Sequence, residues 1–451
     1  MPVHASARAL VWTFSVALAA CASSGASLQV KAAVSRGAYA DALQVYERQG
    51  RDRGVLRSLA QSVLLLDAQA KEQTRRHTAF TEFALLGTRA RPMLDELSEA
   101  ERPAAIRVQA LTLLARLGDS AARSELRGMV RSGDPEVADQ AFVALDPESD
   151  QALITQALRE PRKGRRLAAL ALIARQPLLA FLPELAQTAR LDPQPVVRMA
   201  ALGALEACLT LQKASHGAAT ASSLVSDPRF SSGLAALQRA LGDEVESVRI
   251  AAFEAYARVA PEQAAPTLDQ QLGAAGTRES LAAAAALLRM SPARETVRAS
   301  AAIAQGLSAI EPAVRGYAAV LIRTLPARMR DVALLRQRLA HEPSADVKLG
   351  LALALGSDDA QAHAALVELA KGVSLPAAEA AGELASRGDA TARARLLAMR
   401  TSPSSMTRIY VARALGRSHG SPGDAATLLA DRDAAVRAAA AGAVLRALFE
   451  T

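Results

Sequence analysis

Apolar positions recur along most of this chain at helical rather than strand spacing. In Leu191–Cys208, LDPQPVVRMAALGALEAC, small or apolar residues follow Val197 at offsets of 4, 7, 8 and 11: Ala201, Ala204, Leu205 and Cys208. That spacing lines one face of a helix, and a single stripe of this kind needs a neighbouring helix to cover it. The stretch opens on Asp192-Pro193. An acid can cap a helix start, and proline suits the first turn because the N–H it lacks would be unpaired there. Arg198 follows the acid by six residues.

The same acid-to-base step returns as Glu101/Arg107, Glu160/Arg166, Asp243/Arg249, Glu342/Lys348 and Asp431/Arg437. With the basic position as a ruler, units fall at 107, 138, 166, 198, 249, about 281, 315, 348, 379, 408 and 437, mostly 28–34 residues apart with one gap of 51. Two helical stretches per unit at such a period predict a solenoid of helix pairs. Gly-Asp turns punctuate it at Gly118-Asp119, Gly242-Asp243 and Gly388-Asp389, where glycine ends one helix and aspartate caps the next. The triplet Arg387-Gly388-Asp389 therefore reads as one of these turns, not as an adhesion motif.

The D-P-x-V-R-x-A-A-x-x-A-L pattern of Asp192–Leu205 and Asp431–Val444 resembles HEAT repeats, in particular the short variety first associated with phycobilin lyases. The resemblance spans roughly residues 101–451. It implies an all-α, right-handed α-solenoid of about eleven helix pairs, with an irregular helical N-terminal cap over residues 29–100. Within the cap, Tyr39, Ala42, Leu43 and Tyr46 share a face in a stretch that resembles one helix of a tetratricopeptide-like unit. About twenty polar, Ser-rich residues around 212–232 account for the long gap and predict a loop.

Composition agrees with helices built from small residues. Hydrophobic content is 51 % with only 3 % aromatic, and no alternating β-branched run bounded by turns occurs. Net charge is +8, but 53 Lys and Arg face 45 interspersed Asp and Glu, so most charge belongs to a solvated surface and no nucleic-acid partner is expected.

The start of the chain has a different character. Arg8 precedes an apolar run, Ala9–Ala20, too short to span a bilayer, which ends Leu18-Ala19-Ala20-Cys21. This resembles the lipobox of bacterial lipoproteins. It implies a signal peptide over 1–20, lipidation of Cys21, a short tether to residue 28 and a place in the cell envelope, at the outer membrane facing the periplasm. Several acyl chains together would anchor the protein firmly.

Candidate chemistry is sparse. No nucleophile motif is placed against a base, Cys208 lies on a buried stripe, and the histidines His4, His77, His216, His341, His363 and His419 are scattered. No metal site, cofactor or catalytic residue is expected. Arg107, Arg166, Arg198, Arg249, Arg315 and Arg437 read as a structural ladder pairing with acids of their own or a neighbouring unit. Arg159, Arg162, Lys163, Arg165 and Arg166 form the one dense basic cluster, a candidate patch for an anionic partner. These readings favour a monomeric, non-catalytic envelope lipoprotein that binds one or more protein partners through a solenoid surface. The alternative is a module for an anionic envelope polymer or glycolipid, peptidoglycan or an outer-membrane lipid, held by the basic cluster.

Overall fold

The computed structural model describes residues 25–216, 227–273, 276–290, 296–418 and 420–450. Among them are 25 α-helices and no strand, and the protein is an all-α solenoid. The signal segment and Cys21 lie outside the described residues. No described helix is long and apolar enough to cross a membrane.

The chain divides into two compact units, residues 1–122 with 363–451 and residues 123–362. Each is built of two helical layers. In unit 2 one layer, A, holds α9 (Gln151–Leu158), α11 (Leu182–Leu191), α13 (Pro228–Ala240), α15 (Pro261–Gln271), α17 (Thr296–Gly306) and α19 (Val332–His341). The B layer holds α8 (Pro135–Ala141), α10 (Lys163–Arg175), α12 (Pro195–His216), α14 (Glu246–Val259), α16 (Arg278–Met290), α18 (Pro312–Thr324) and α20 (Ala345–Leu355), each packed on the next. The stretch singled out by its stripe is α12, with Val197, Ala201, Leu205 and Cys208 fully buried.

Unit 1 joins the two ends of the chain. Its N-terminal part is α1 (25–35), α2 (Tyr39–Arg48), α3 (Arg53–Ala68), α4 (Gln73–Leu86), α5 (Arg91–Ser98) and α6 (Ala104–Arg116). Its C-terminal part includes α22 (Leu375–Ser386), α23 (Ala390–Ala398), α24 (Ser405–Leu415), a 3-10 helix (Pro422–Ala430) and α25 (Ala434–Glu450). The B layer here runs α22, α24, α25, α4, α6, so α25 lies between α24 and the α3–α4 pair. Helix α7 (Ser120–Met129) and α21 (Ala360–Leu369) carry the chain between units.

Three expectations need correction. Residues 29–100 do not only cover the first repeat; α3 and α4 also cover the last helix, because α25 is apolar all round and cannot face water. The proposed tether to residue 28 is too long, since a helix is already under way at residue 25, with Ala26 and Val30 buried. The predicted loop around 212–232 overlaps helices at both ends. Gln212 to His216 extend α12, Asp227 caps α13 through the Arg229 N–H at 2.8 Å, and Phe230 is core, so only 217–226 lie outside the described residues.

Two of the three Gly-Asp turns behave as predicted, while Gly242 does not take a positive φ. Gly118 and Gly388 take φ values of 92° and 93°, a region only glycine enters freely, and Asp119 and Asp389 accept the Ala122 and Ala392 N–H groups at 3.0 and 2.9 Å.

Candidate functional site

Four of the arginines read as a ladder, Arg166, Arg198, Arg249 and Arg315, each hydrogen-bond an acid of the next repeat. Arg166 donates from Nε and Nη2 to both oxygens of Asp192, at 2.6 and 3.0 Å. Arg198 grips Asp243 at 2.8 and 2.7 Å, Arg249 reaches Glu279 at 2.7 Å, and Arg315 grips Glu342 at 2.9 and 2.8 Å. In unit 1, Arg408 holds Asp431 at 2.7 and 2.9 Å. Arg166, Arg198 and Arg249 do not hydrogen-bond the carboxylate six residues behind them, and Arg315 and Arg408 have none at that position. Instead each sends Nη1 to the backbone carbonyl at that position: Glu160, Asp192, Asp243, Ala309 and Ser402, at 2.5–2.9 Å. The acid meanwhile caps the helix it precedes; Asp192 accepts the Gln194 N–H and Asp243 the Val245 N–H, both at 2.9 Å. Each rung thus fixes a helix start and its stacking on the previous unit. Position 408 marked a repeat in the sequence, but Arg408 was not placed on the ladder, and Arg76 of α4 was not singled out; Arg76 donates to the carbonyls of Ala70 and Lys71 at 3.2 and 2.8 Å. Arg107 sits at the same position in α6 and is half-buried.

These carboxylates carry a pH signature. Burial pushes Asp243 up, but the Arg198 hydrogen bonds, the Val245 N–H and the arginine charge pull it further down, to a net depressed value. Glu342 and Asp431 are depressed by the same balance. A carboxyl with a depressed folded pKa stabilises the fold above its unfolded pKa, and that contribution is lost as pH falls through the folded value. The melting temperature should therefore hold from pH 7 to about 5 and drop steeply below about 4. A thermal melt series over that range checks it, and a flat profile to pH 3 would contradict the ladder's role.

The dense basic cluster does not form one surface. Arg166 is buried in the ladder. Arg165 is held inward, donating to the carbonyls of Ala138 and Val130 at 2.9 and 3.2 Å and lying 4.6 Å from the centre of the Phe142 ring. Only Arg159, Arg162 and Lys163 are exposed, and the first two face Glu184 and Asp139 at 3.8 Å. As a five-residue patch the cluster is corrected: successive residues of a helix point in different directions, and two of these five serve the core.

Cys208 is fully buried, its Sγ–H directed at the Leu178 carbonyl 3.6 Å away, and burial pushes the thiol up to about 11. A thiol so placed is not a nucleophile. Among the described residues no group of histidine, cysteine and carboxylate side chains has metal-binding geometry.

What the fold does present is the face of the B helices turned away from the A layer. In unit 2 this face exposes Val196 and Gly203 on α12 and Val320 on α18, while α16 is buried throughout from Ser280 to Leu288. A belt of charge crosses four consecutive B helices over this floor. Arg258 meets Glu206 at 2.6 Å and Glu254 at 3.8 Å; Arg289 meets Glu254 at 3.5 Å and the Thr324 hydroxyl at 3.2 Å. Beside the belt a cleft of about 260 Å³ opens between α14 and α16, lined by Ala257, Pro261, Ala286 and Met290 with these charges. Burial raises the Glu206 pKa, against the pull of Arg258.

In unit 1 the same layer contains the seam between the chain ends. Glu82, fully buried on α4, accepts from Arg413 of α24 at 2.7 and 3.0 Å and from Arg446 of α25 at 3.0 Å. Gly442 makes this possible, since a Cβ there would overlap Glu82 Oε2. Asp67, also fully buried, accepts from Arg75 at 2.6 Å and faces Arg437 at 3.6 Å. Arg437 donates to the Asp431 carbonyl at 2.9 Å, as the other rungs do, and lies 4.2 Å from the centre of the Tyr39 ring. The last rung of the ladder therefore lands on the N-terminal part of the chain.

The fold and this face together define a helical-repeat solenoid with an open B-layer surface. No family model matches the chain, and no curated protein matches it. Among solved structures it is similar to Kap121p, at 13 % identity over 84 % of this chain and 47 % of that one, with a TM-score of 0.37. It is also similar to importin beta, at 16 % identity over 79 % and 50 %, with a TM-score of 0.34. The chain spans about half the length of these structures.

Proposed function

We propose that this protein is a non-catalytic scaffold that binds a protein partner along the B-layer face, and that a lipid on Cys21 holds it in a bacterial cell envelope. The observation that carries the binding half is the unit 2 face: small and apolar residues left uncovered on α12 and α18, crossed by a belt whose charges are already paired. An apolar floor with neutralised charges suits a partner surface that buries area and matches hydrogen bonds, not a single charged ligand. The anchoring half rests on the lipobox resemblance. With a helix under way at residue 25, only three residues separate Cys21 from it, so its start lies within about 14 Å of the acylated cysteine at ~3.5 Å per residue.

Photo-crosslinking residues placed in cells test this position by position. Thr210, Ser247 and Val320 lie on the exposed B face, and Gln187 and Gln337 on exposed A helices. Adducts to one and the same protein from the three B-face positions, with none from the A-face pair, are expected. Equal labelling from both faces, or none from either, would sink the scaffold. Membrane release of the Cys21→Ala form tests the anchor separately.

A further inference from the structure

The positive charge of this protein is unevenly placed. Lys and Arg outnumber Asp and Glu by 26 to 19 in unit 1 but only 27 to 26 in unit 2. At the seam the surplus is concentrated around the C-terminal turns of α24, α25 and α4. Arg413 and Arg446 share the single carboxylate of Glu82. Arg57 and Arg89 both lie on the Phe449 ring, 5.8 and 5.6 Å from its centre, and Arg417 lies 5.9 Å from the Tyr410 ring. Arg89 has Glu450 4.0 Å away, itself 59 % exposed, and Glu379 and Glu383 lie near the Tyr410 ring that Arg417 covers. Apolar groups stand near them in the chain: Leu85, at the end of α4 just before the Gly87 bend that leads to Arg89, is 56 % exposed, and Met406, in the first turn of α24 two turns before Arg413, is 61 % exposed.

We propose that this arginine rim docks an acidic, amphipathic protein segment, with carboxylates on Arg57, Arg89, Arg413 and Arg417 and apolar side chains against Leu85 and Met406. The inference rests on the scaffold reading and names the chemistry of one partner segment. Charge complementarity selects the occupant. Arg413 and Arg446 share the one carboxylate of Glu82, so incoming acids relieve their mutual repulsion, and a guanidinium fork donates two parallel hydrogen bonds to a carboxylate. Exposed leucine and methionine beside them add apolar area that a bare anion would leave wet. A seated segment would contact both parts of unit 1 and so tie its N-terminal helices to the C-terminal ones.

The test is fluorescence anisotropy on the full chain with two synthetic helical peptides, one carrying Glu and Leu at i, i+4 spacing and one with every Glu replaced by Lys. The Glu peptide should bind and the Lys peptide should not. Arg89→Glu with Arg417→Glu, neither of which bonds Glu82, should weaken the Glu peptide by about tenfold or more, as should a rise in salt that screens the rim. Reversal of two exposed unit 2 arginines, Arg190 and Arg239, should change it less than about twofold. Arg413→Lys keeps the charge but loses the fork, and should give an intermediate loss. Equal binding of both peptides, or no effect of the rim reversal in a variant that melts normally, overturns the proposal. So does tighter, rim-dependent binding of anionic vesicles or single-stranded DNA. Peptide binding without B-face crosslinks in unit 2 would sink the scaffold reading alone, whereas those crosslinks without peptide binding would sink the rim alone.

Discussion

Replacing Glu82 with alanine should destabilise unit 1 by about 3–5 kcal/mol, because it strips the counter-charge from Arg446, which the seam has largely taken out of water, and from the partly exposed Arg413. Glu82 is fully buried, and the Arg446 side chain is only 15 % exposed. Its three hydrogen bonds come from two different helices of the C-terminal part, so their loss loosens α4 from both α24 and α25 at once. Glu82→Gln keeps the shape and one acceptor oxygen, and should cost less. Denaturant unfolding followed by proteolysis near α25 checks both; a loss below 1 kcal/mol for the alanine form would mean that the seam does not hold the ends together.

The second large effect lies in unit 2. Arg198→Ala should cost about 3–5 kcal/mol as well, since Asp243 would be left partly buried without its bidentate partner and the Asp192 carbonyl would lose a donor. The Arg198 and Asp243 side chains are 6 % and 11 % exposed. Arg159, 69 % exposed and 3.8 Å from Glu184, is the matched control, with an expected cost under about 1 kcal/mol. Comparable losses from both would show that burial of the rung is not what makes it matter.

The spacing of acid, proline and arginine made the ladder visible in the chain, because each rung begins within one helix start. Which acid each arginine takes was not visible. Sequence places Asp192 six residues before Arg198, whereas the carboxylate Arg198 holds belongs to Asp243, brought close by stacking of the next unit. The basic cluster misled for a related reason: Arg165 and Arg166 are adjacent to exposed residues in sequence, and helix geometry turns both inward. The seam was least legible of all, since Glu82 and Arg413 are 331 positions apart. One signal was nevertheless available. Ala434 to Leu448 holds no polar residue except Arg437 and Arg446, so it lacks the polar stripe of a helix with one side in water. A helix so nearly apolar needs neighbours on several sides, and α3 and α4 are two of them. The B-layer face has no counterpart signal, because an exposed alanine or valine on a helix looks the same as a buried one until its neighbours are in place.

Whether the two ends of the chain form one folded stack is tested most directly by native-state hydrogen exchange on the full chain, with α3, α4 and α25 followed together. If α25 is buried between α24 and the α3–α4 pair, amides of all three helices open with a common free energy, and Glu82→Ala lowers that value for all three by the same amount. Rapid exchange in α3 and α4 while α25 stays protected, or a Glu82→Ala effect confined to α4, would contradict the seam and with it the arginine rim.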